Sequence, residues 1–170
     1  MDTFDLQRFV DAQAPVWPQA RAELAAGEKR SHWMWFVFPQ LAALGRSATA
    51  KRYGIGSRAE AAAYARHPLL GPRLVEGTQL VLAVRGRSLH QIFGAPDDLK
   101  FGSCVTLFHA VAPQEPAYAE VLERLLHGRP DAATLERTLE AARRAALTPP
   151  LEDLDAKRVR ALHAVGERVT

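Results

Sequence analysis

Cysteine is almost absent from this 170-residue sequence, which contains only Cys104. A single cysteine excludes an internal disulfide, and a free cysteine beside an apolar stretch is typical of core packing. The residues after Met1 lack the apolar core of a secretory signal, and no apolar run is long enough to span a bilayer. These absences predict a cytoplasmic protein that does not associate with membranes.

Motifs for metal and nucleotide binding are also missing. The six histidines are scattered, and none pairs with another histidine or cysteine at the spacing of H-E-x-x-H or C-x-x-C, so no metal site is expected. The sequence has no G-x-S-x-G elbow, no Walker loop and no G-x-G-x-x-G fingerprint. We therefore predict no cofactor, and the residues alone name no reaction.

What the chain does contain is an ordinary globular composition with a basic balance. Hydrophobic residues make up 48% of the chain and charged residues 24%, which is enough to bury one core. The formal net charge of +3 favours acidic or phosphate-bearing partners. The basic residues do not form the clustered stripe of a nucleic-acid binder, so nucleic acid is an unlikely partner.

Helical spacing and capping residues recur along most of the chain. They predict helices that begin near Phe4, Trp17, Ser57, Leu70, Ser88, Pro96, Pro116 and Asp131. The run Leu80–Val84 would also suit a buried strand, but no second strand pattern exists to pair with it. We predict an all-α fold, a compact single-domain multi-helix orthogonal bundle.

A domain boundary is predicted where Thr148, Pro149 and Pro150 break the last strongly helical pattern. Residues 1–147 would form the helical domain, and residues 148–170 a C-terminal extension with the spacing of a helix. The extension could pack on the domain or bind another protein, and the sequence leaves both possibilities open.

The segment Lys29–Gln40 is the most unusual part of the sequence. Residues 32–38 are apolar on every side, so their periodicity does not separate a buried helix from a buried strand. Ser31 as an N-cap and Pro39 as a stop favour one short helix.

The same segment carries the first candidate site. Lys29, Arg30 and His32 precede Trp33 and Trp35, a combination suited to holding a phosphate and stacking a planar ring. The competing interpretation is a core helix with a solvated basic start, because aromatic stripes usually pack in cores.

Two further polar groups lie beside apolar runs. Arg46 and Ser47 form the first, and Asp97 and Lys100 the second, so that a guanidinium, a carboxylate and an ammonium could converge on one pocket. Asp97 and Lys100 would then be the candidates for acid–base catalysis. As an alternative, these residues are helix caps and surface ion pairs.

At these motifs the chain resembles a bacterial family known as domain of unknown function eighteen-ten. The matching runs extend from about the start to Leu139, and they include Phe4–Gln13, Lys29–Gln40, Gly45–Ser47, Tyr64–Leu74, Ile92–Gly94, Pro96–Lys100, Ser103 and Thr106–Phe108. The resemblance implies an all-helical fold without an established activity, and it adds Ser103 to the candidate ligand-binding residues. Some members are labelled calpastatin, but this apolar, non-repetitive chain is unlike a disordered inhibitory repeat.

The chain departs from the family pattern at Gly102, where a longer and often basic residue is expected, and after Thr148. A faint fold-level similarity to the NADAR N-glycosidases, which process ADP-ribose-type conjugates, lies in His67-Pro68-Leu69 and Phe93-Gly94, without the signature around their catalytic glutamate. The first functional hypothesis is a site that binds, or binds and processes, a phosphorylated nucleotide-like ligand such as an ADP-ribose conjugate. The second is a non-enzymatic protein–protein interaction module, which would bind its partner through the exposed part of the aromatic segment or through the tail from Leu151 to Val169.

Overall fold

The computed structural model describes residues 3–147, in which α-helices and one 3₁₀ turn are the regular elements. The ten helices are α1 (Gln7–Gln13), α2 (Trp17–Ala26), α3 (Met34–Val37), α4 (Ala48–Arg52), α5 (Arg58–Arg66), α6 (Leu70–Ala83), α7 (Leu89–Phe93), α8 (Asp97–Val111), α9 (Pro116–Arg124) and α10 (Ala132–Leu147). The 3₁₀ turn spans Ala42–Leu44. These described residues contain no strand beyond one isolated parallel bridge between Leu41 and Ile55, so the all-α prediction is confirmed.

Helix ends follow ordinary local chemistry, and two of the predicted starts, at Ser88 and Asp131, have the caps expected of them. Gly27 closes α2 with φ +68°, a left-handed conformation that costs glycine little. At the start of α7, Ser88 and Gln91 form a reciprocal capping box. The Asp131 carboxylate accepts a hydrogen bond from the Thr134 backbone N–H at 2.9 Å, as an N-cap of α10 should.

The helix predicted in Lys29–Gln40 is shorter than expected. Only Met34–Val37 is helical, and Ser31 does not cap it. The Ser31 hydroxyl donates instead to the carboxylate of Glu23, at 2.7 Å. The backbone before α3 is therefore held by a side chain from α2 rather than by a capping interaction of its own.

The core surrounds α8. Every residue from Phe101 to Phe108 is buried, because α8 packs against α5, α7 and α9. Phe38 of the aromatic segment meets Phe101 edge-on, with ring centroids 5.0 Å apart. Cys104 is fully buried, and this burial raises the pKa of its thiol well above the ordinary value, as expected of a packing residue.

The Arg8 guanidinium ties the start of the chain to the loop before α5. It donates to the Glu60 carboxylate at 2.6 Å and to the Gly54 carbonyl at 3.1 Å. Ser57 caps α5 by accepting from the Glu60 N–H, but the Glu60 side chain accepts from Gly56 rather than completing a capping box. The bridge between Ile55 and Leu41 places the same loop beside the segment that follows Pro39.

The chain divides into two compact units, Met1–Thr138 and Leu139–Thr170, with the division inside α10. The core and all the candidate site residues lie in the first unit. The predicted extension, residues 148–170, lies outside the described residues, so its helical structure and its role as a partner site stay predictions. Within residues 3–147, no helix combines the length and the apolarity needed to cross a membrane.

Candidate functional site

The loop of residues 28–33, which we call the Glu23 loop, is held by one carboxylate from α2. Glu23 accepts hydrogen bonds from the backbone N–H groups of Arg30 (2.9 Å) and Ser31 (3.1 Å). It also accepts from the Ser31 hydroxyl at 2.7 Å and from the indole N–H of Trp33 at 2.9 Å. At its other end, the loop is fixed by a 2.7 Å hydrogen bond from the Lys29 N–H to the Ile92 carbonyl.

The hydrogen-bond donors around Glu23 determine the protonation state of its carboxyl group. Burial by itself would raise the pKa of this carboxyl group. The hydrogen bonds from Arg30, Ser31 and Trp33 outweigh burial and lower the pKa from 4.5 to about 2. Glu23 is therefore ionised at neutral pH, and its bonding capacity is used to shape the loop.

A second carboxylate, Asp97 at the start of α8, joins two lysines. Lys29 contacts one Asp97 oxygen at 2.8 Å, and Lys100 contacts the other at 2.9 Å. Each lysine also lies near an indole, with its Nζ 5.2 Å from the ring centroid of Trp33 for Lys29 and of Trp35 for Lys100. The three charges sum to +1, and Lys100 is the more exposed of the two cations.

The two lysines determine the protonation of Asp97. Partial burial would raise the pKa of the Asp97 carboxyl group, but the hydrogen bonds and charges of Lys29 and Lys100 lower it below the ordinary value. An ionised carboxylate that already accepts from two ammonium groups is a weak base at neutral pH. This geometry favours a charge-holding role for Asp97 over the acid–base role that the sequence suggested.

Beside Lys100 the surface opens into a cleft of about 620 Å³, which we call the Trp35 cleft. Its walls come from α3, from the loop and 3₁₀ turn before α4, and from the start of α8. The lining residues are Trp35, Gln40, Leu44, Gly45, Arg46, Ser47, Ala50, Pro96, Leu99, Lys100 and Ser103. A small apolar recess of about 10 Å³, lined also by Trp35, Gln40, Ala50 and Lys100, continues from it.

The cleft brings together half of the residues that the sequence nominated. Five of them line it, namely Trp35, Arg46, Ser47, Lys100 and Ser103. Asp97 pairs with Lys100, and Lys29 pairs with the other oxygen of Asp97. Arg46, Ser47 and Lys100 therefore share one cleft, whereas the Asp97 carboxylate is not among its lining residues.

The remaining nominated residues lie elsewhere. Trp33 is 1% exposed and donates its indole N–H to Glu23, which leaves Trp35 as the candidate stacking ring. Arg30 pairs with Glu28 on the surface at 3.0 Å, and His32 is exposed. Neither Arg30 nor His32 lines the Trp35 cleft.

The polar groups of the cleft differ in how much of their bonding capacity is in use. Arg46 is exposed and forms no ion pair or hydrogen bond with any residue that the structure describes. The Ser47 Oγ accepts from the Ala50 N–H at 3.1 Å, which leaves its own proton to donate. Ser103 donates to the Leu99 carbonyl at 3.2 Å and is nearly buried. Arg46 and Ser47 therefore keep hydrogen-bonding capacity for a ligand.

Two important residues were missed from the sequence. Glu23 carried no signal, because its partners lie seven to ten residues further along the chain. Gln40 was treated only as the end of the aromatic segment, although it lines both the cleft and the recess. Among the described residues, no group of three or more histidine, cysteine, aspartate or glutamate side chains is placed to hold a metal ion.

Comparison with known proteins gives a family but no activity. Residues 3–138 match a family described as a protein of unknown function, DUF1810. The chain belongs to this family. This match confirms the resemblance predicted from the motifs. Every lining residue of the Trp35 cleft falls inside the matched region.

A solved structure supports the same conclusion. The chain is similar to the conserved hypothetical protein Rv1873 from Mycobacterium tuberculosis, with 52% sequence identity and a TM-score of 0.80. The match covers 81% of this chain and 99% of that one. No protein with a curated description matches the chain. These comparisons therefore establish the family and the fold of the chain, and its function has to be inferred from the geometry of the site.

Proposed function

We propose that the Trp35 cleft binds a phosphorylated, nucleotide-like ligand such as an ADP-ribose conjugate. The observation that carries the proposal is the charge of the cleft: Arg46 and Lys100 line it, and none of the lining residues within positions 3–147 is an aspartate or a glutamate. Two cations without a facing carboxylate favour an anion. A guanidinium that is free to form paired hydrogen bonds suits phosphate oxygens particularly well.

The state of Lys100 strengthens this argument. Asp97 would neutralise Lys100 if it acted alone, but Lys29 contacts the other oxygen of the same carboxylate at 2.8 Å. The group as a whole keeps one positive charge. Because Lys29 is almost fully buried while Lys100 lines the cleft, that charge is available to a ligand at Lys100.

The rest of the cleft suits a planar, partly apolar ligand. Trp35 is half-buried and supplies an aromatic surface, and Leu44, Ala50 and Leu99 supply apolar walls. Leu99 is 73% exposed, so its side chain offers apolar surface to a ligand in the cleft. A volume of about 620 Å³ is within the range of small-molecule sites.

The geometry supports binding more directly than catalysis. Asp97 is held ionised by two lysines, so it is poorly placed to exchange a proton with a ligand. Processing of the ligand therefore stays a prediction.

The protein–protein interaction module is the alternative, and its candidate surface in residues 148–170 lies outside the described residues. The cytoplasmic location also stays a prediction, and the buried, free thiol of Cys104 is consistent with it.

The test is calorimetric titration of the full chain with ADP-ribose, ADP and inorganic phosphate. We expect ADP-ribose and ADP to bind more tightly than phosphate, because only they have a ring to stack. Lys100→Met and Trp35→Leu should each weaken binding by roughly tenfold, the usual cost of losing one charge-assisted or stacking contact. Lys51→Met is the matched control, since Lys51 is exposed and does not line the cleft. Absence of binding, or equal weakening by Lys51→Met, would contradict the proposal.

A further inference from the structure

We infer that Gln40 determines which ring the Trp35 cleft accepts, by hydrogen bonding to the edge of a ring stacked on Trp35. The inference rests on the proposed function and deepens it. The ligand class it specifies is a nucleotide whose ring carries a hydrogen-bond donor next to an acceptor, as adenine does.

The backbone at Gln40 is firmly anchored. Its carbonyl accepts the Ile55 N–H at 2.9 Å, and the Ile55 carbonyl accepts the Ala42 N–H at 2.9 Å. Gly54 permits this close approach, since a Cβ atom there would lie 2.4 Å from the Ala42 Cα. The base of the Gln40 side chain is therefore fixed relative to the cleft wall, which is what a specificity contact requires.

The Gln40 side-chain amide, by contrast, is unused. It is partly buried, and it forms no hydrogen bond with any other residue in the range 3–147. A primary amide offers two N–H donors and one acceptor oxygen. A ligand that covers this amide without hydrogen bonding to it would leave those groups without water or a partner, at a cost in affinity.

The neighbours of Gln40 indicate what its amide would meet. Trp35, Gln40 and Lys100 line the cleft together, and the same three residues line the adjoining recess. Lys100 occupies a position over the Trp35 ring, with its Nζ 5.2 Å from the centroid. A ring that stacks on this face of the indole has to displace the Lys100 ammonium, which can then contact the phosphate of the ligand together with Arg46. The Gln40 amide, which lines the same cleft, is the group left to contact the edge of the ring.

No other residue of the cleft has the chemistry for this role. Gln40 contributes the only side-chain amide among the described lining residues. The hydroxyls of Ser47 and Ser103 each already take part in one hydrogen bond within the protein. Pairing of a glutamine amide with a donor and an acceptor at once is the arrangement that recognises adenine in other settings.

The experiment compares two ligands in two proteins. ADP and purine riboside 5′-diphosphate, which lacks only the exocyclic amino group, are titrated into the wild-type chain and into Gln40→Leu. The wild-type protein should bind ADP on the order of tenfold more tightly than the analogue, the typical effect of one unmatched hydrogen-bonding group. In Gln40→Leu this preference should disappear, while the phosphate contacts keep both ligands bound.

Gln79→Leu is the matched control, because Gln79 is exposed on α6 and far from the lining in sequence. It should keep the full preference for ADP. Equal binding of the two ligands by the wild-type protein, or an unchanged preference in Gln40→Leu, would overturn the role of Gln40 alone. If the wild-type protein binds neither ligand, the proposed function itself fails, and this inference fails with it.

Discussion

The Glu23 loop and the Trp35 cleft are neighbours in sequence, but they use their polar groups in different ways. In the loop, Glu23 accepts from two backbone N–H groups, one hydroxyl and one indole, and Trp33 is 1% exposed. In the cleft, Arg46 and the Gln40 amide have no partner among the described residues. The Glu23 loop is therefore saturated with internal hydrogen bonds, whereas the Trp35 cleft keeps polar groups that can still form hydrogen bonds with a ligand.

This difference separates structural residues from candidate binding residues of the same chemical type. Trp33 and Trp35 are both tryptophans of one short segment, yet Trp33 is committed to Glu23 while Trp35 lines the cleft. Buried polar groups that are fully satisfied stabilise a fold, whereas accessible groups without partners are free to bind a ligand. Substitutions should therefore affect stability in the first region and affinity in the second.

The largest loss of stability is expected for Glu23→Gln. The new amide would direct an NH₂ group towards donors that now meet a carboxylate, so the free energy of unfolding should fall by about 3 kcal/mol. Urea denaturation followed by circular dichroism measures this change. The matched control is Glu76→Gln, which breaks only the exposed pair with Arg21 and should cost less than about 1 kcal/mol. Similar costs for the two variants would mean that Glu23 does not organise the loop.

The pH dependence of stability should show the same contribution. The pKa of Glu23 falls from 4.5 to about 2 on folding, so the folded protein binds fewer protons than the unfolded chain between these values. Its stabilisation is complete above pH 4.5 and is lost as the pH falls towards about 2. The stability difference between the wild-type protein and Glu23→Gln should shrink over that interval in urea titrations at successive pH values. A difference that stays constant from neutral pH to about 3 would be inconsistent with the lowered pKa.

Asp97→Asn should have an intermediate effect on stability. It removes the carboxylate between Lys29 and Lys100 and leaves the nearly buried Lys29 ammonium without its partner, at a cost of about 2 kcal/mol. The same urea titration measures it, with Asp11→Asn on the exposed face of α1 as the control. If Asp97→Asn is as mild as its control, the two lysines do not depend on this carboxylate for their positions.

The smallest effect on stability is expected for Arg46→Met. Arg46 is exposed and has no partner in residues 3–147, so the free energy of unfolding should change by less than about 0.5 kcal/mol. Calorimetry on the same sample should nevertheless record weaker binding of ADP. Arg85→Met, at another exposed arginine, should leave both quantities unchanged. A destabilised Arg46→Met protein would place Arg46 among the structural residues.

The sequence predicted the fold well, because much of it depends on local chemistry. The capping box of Ser88 with Gln91 and the left-handed closure at Gly27 involve residues within one helical turn. Burial of Cys104 followed from its apolar surroundings in the sequence. Such features need no knowledge of how distant parts of the chain meet.

The site was predicted only in part, for the opposite reason. Helical periodicity cannot assign Trp33 and Trp35 to different environments, because residues 32–38 are apolar on every side. The hydrogen bond from the Trp33 indole to Glu23 is what separates the two tryptophans. This contact depends on how α2 packs against the loop. The free amide of Gln40 likewise depends on which residues surround it in space. Contacts between distant segments, rather than residue types, decide which polar groups remain available.

The most direct test follows the indole N–H signals of the three tryptophans by nuclear magnetic resonance while ADP is added to the ¹⁵N-labelled chain. Variants in which each tryptophan is replaced in turn assign the signals. We expect the Trp35 signal to shift in proportion to the bound fraction, while the Trp33 signal stays fixed because its N–H is held by Glu23. An unchanged Trp35 signal, or an equally large shift of Trp33, would contradict the division between a saturated loop and a binding cleft.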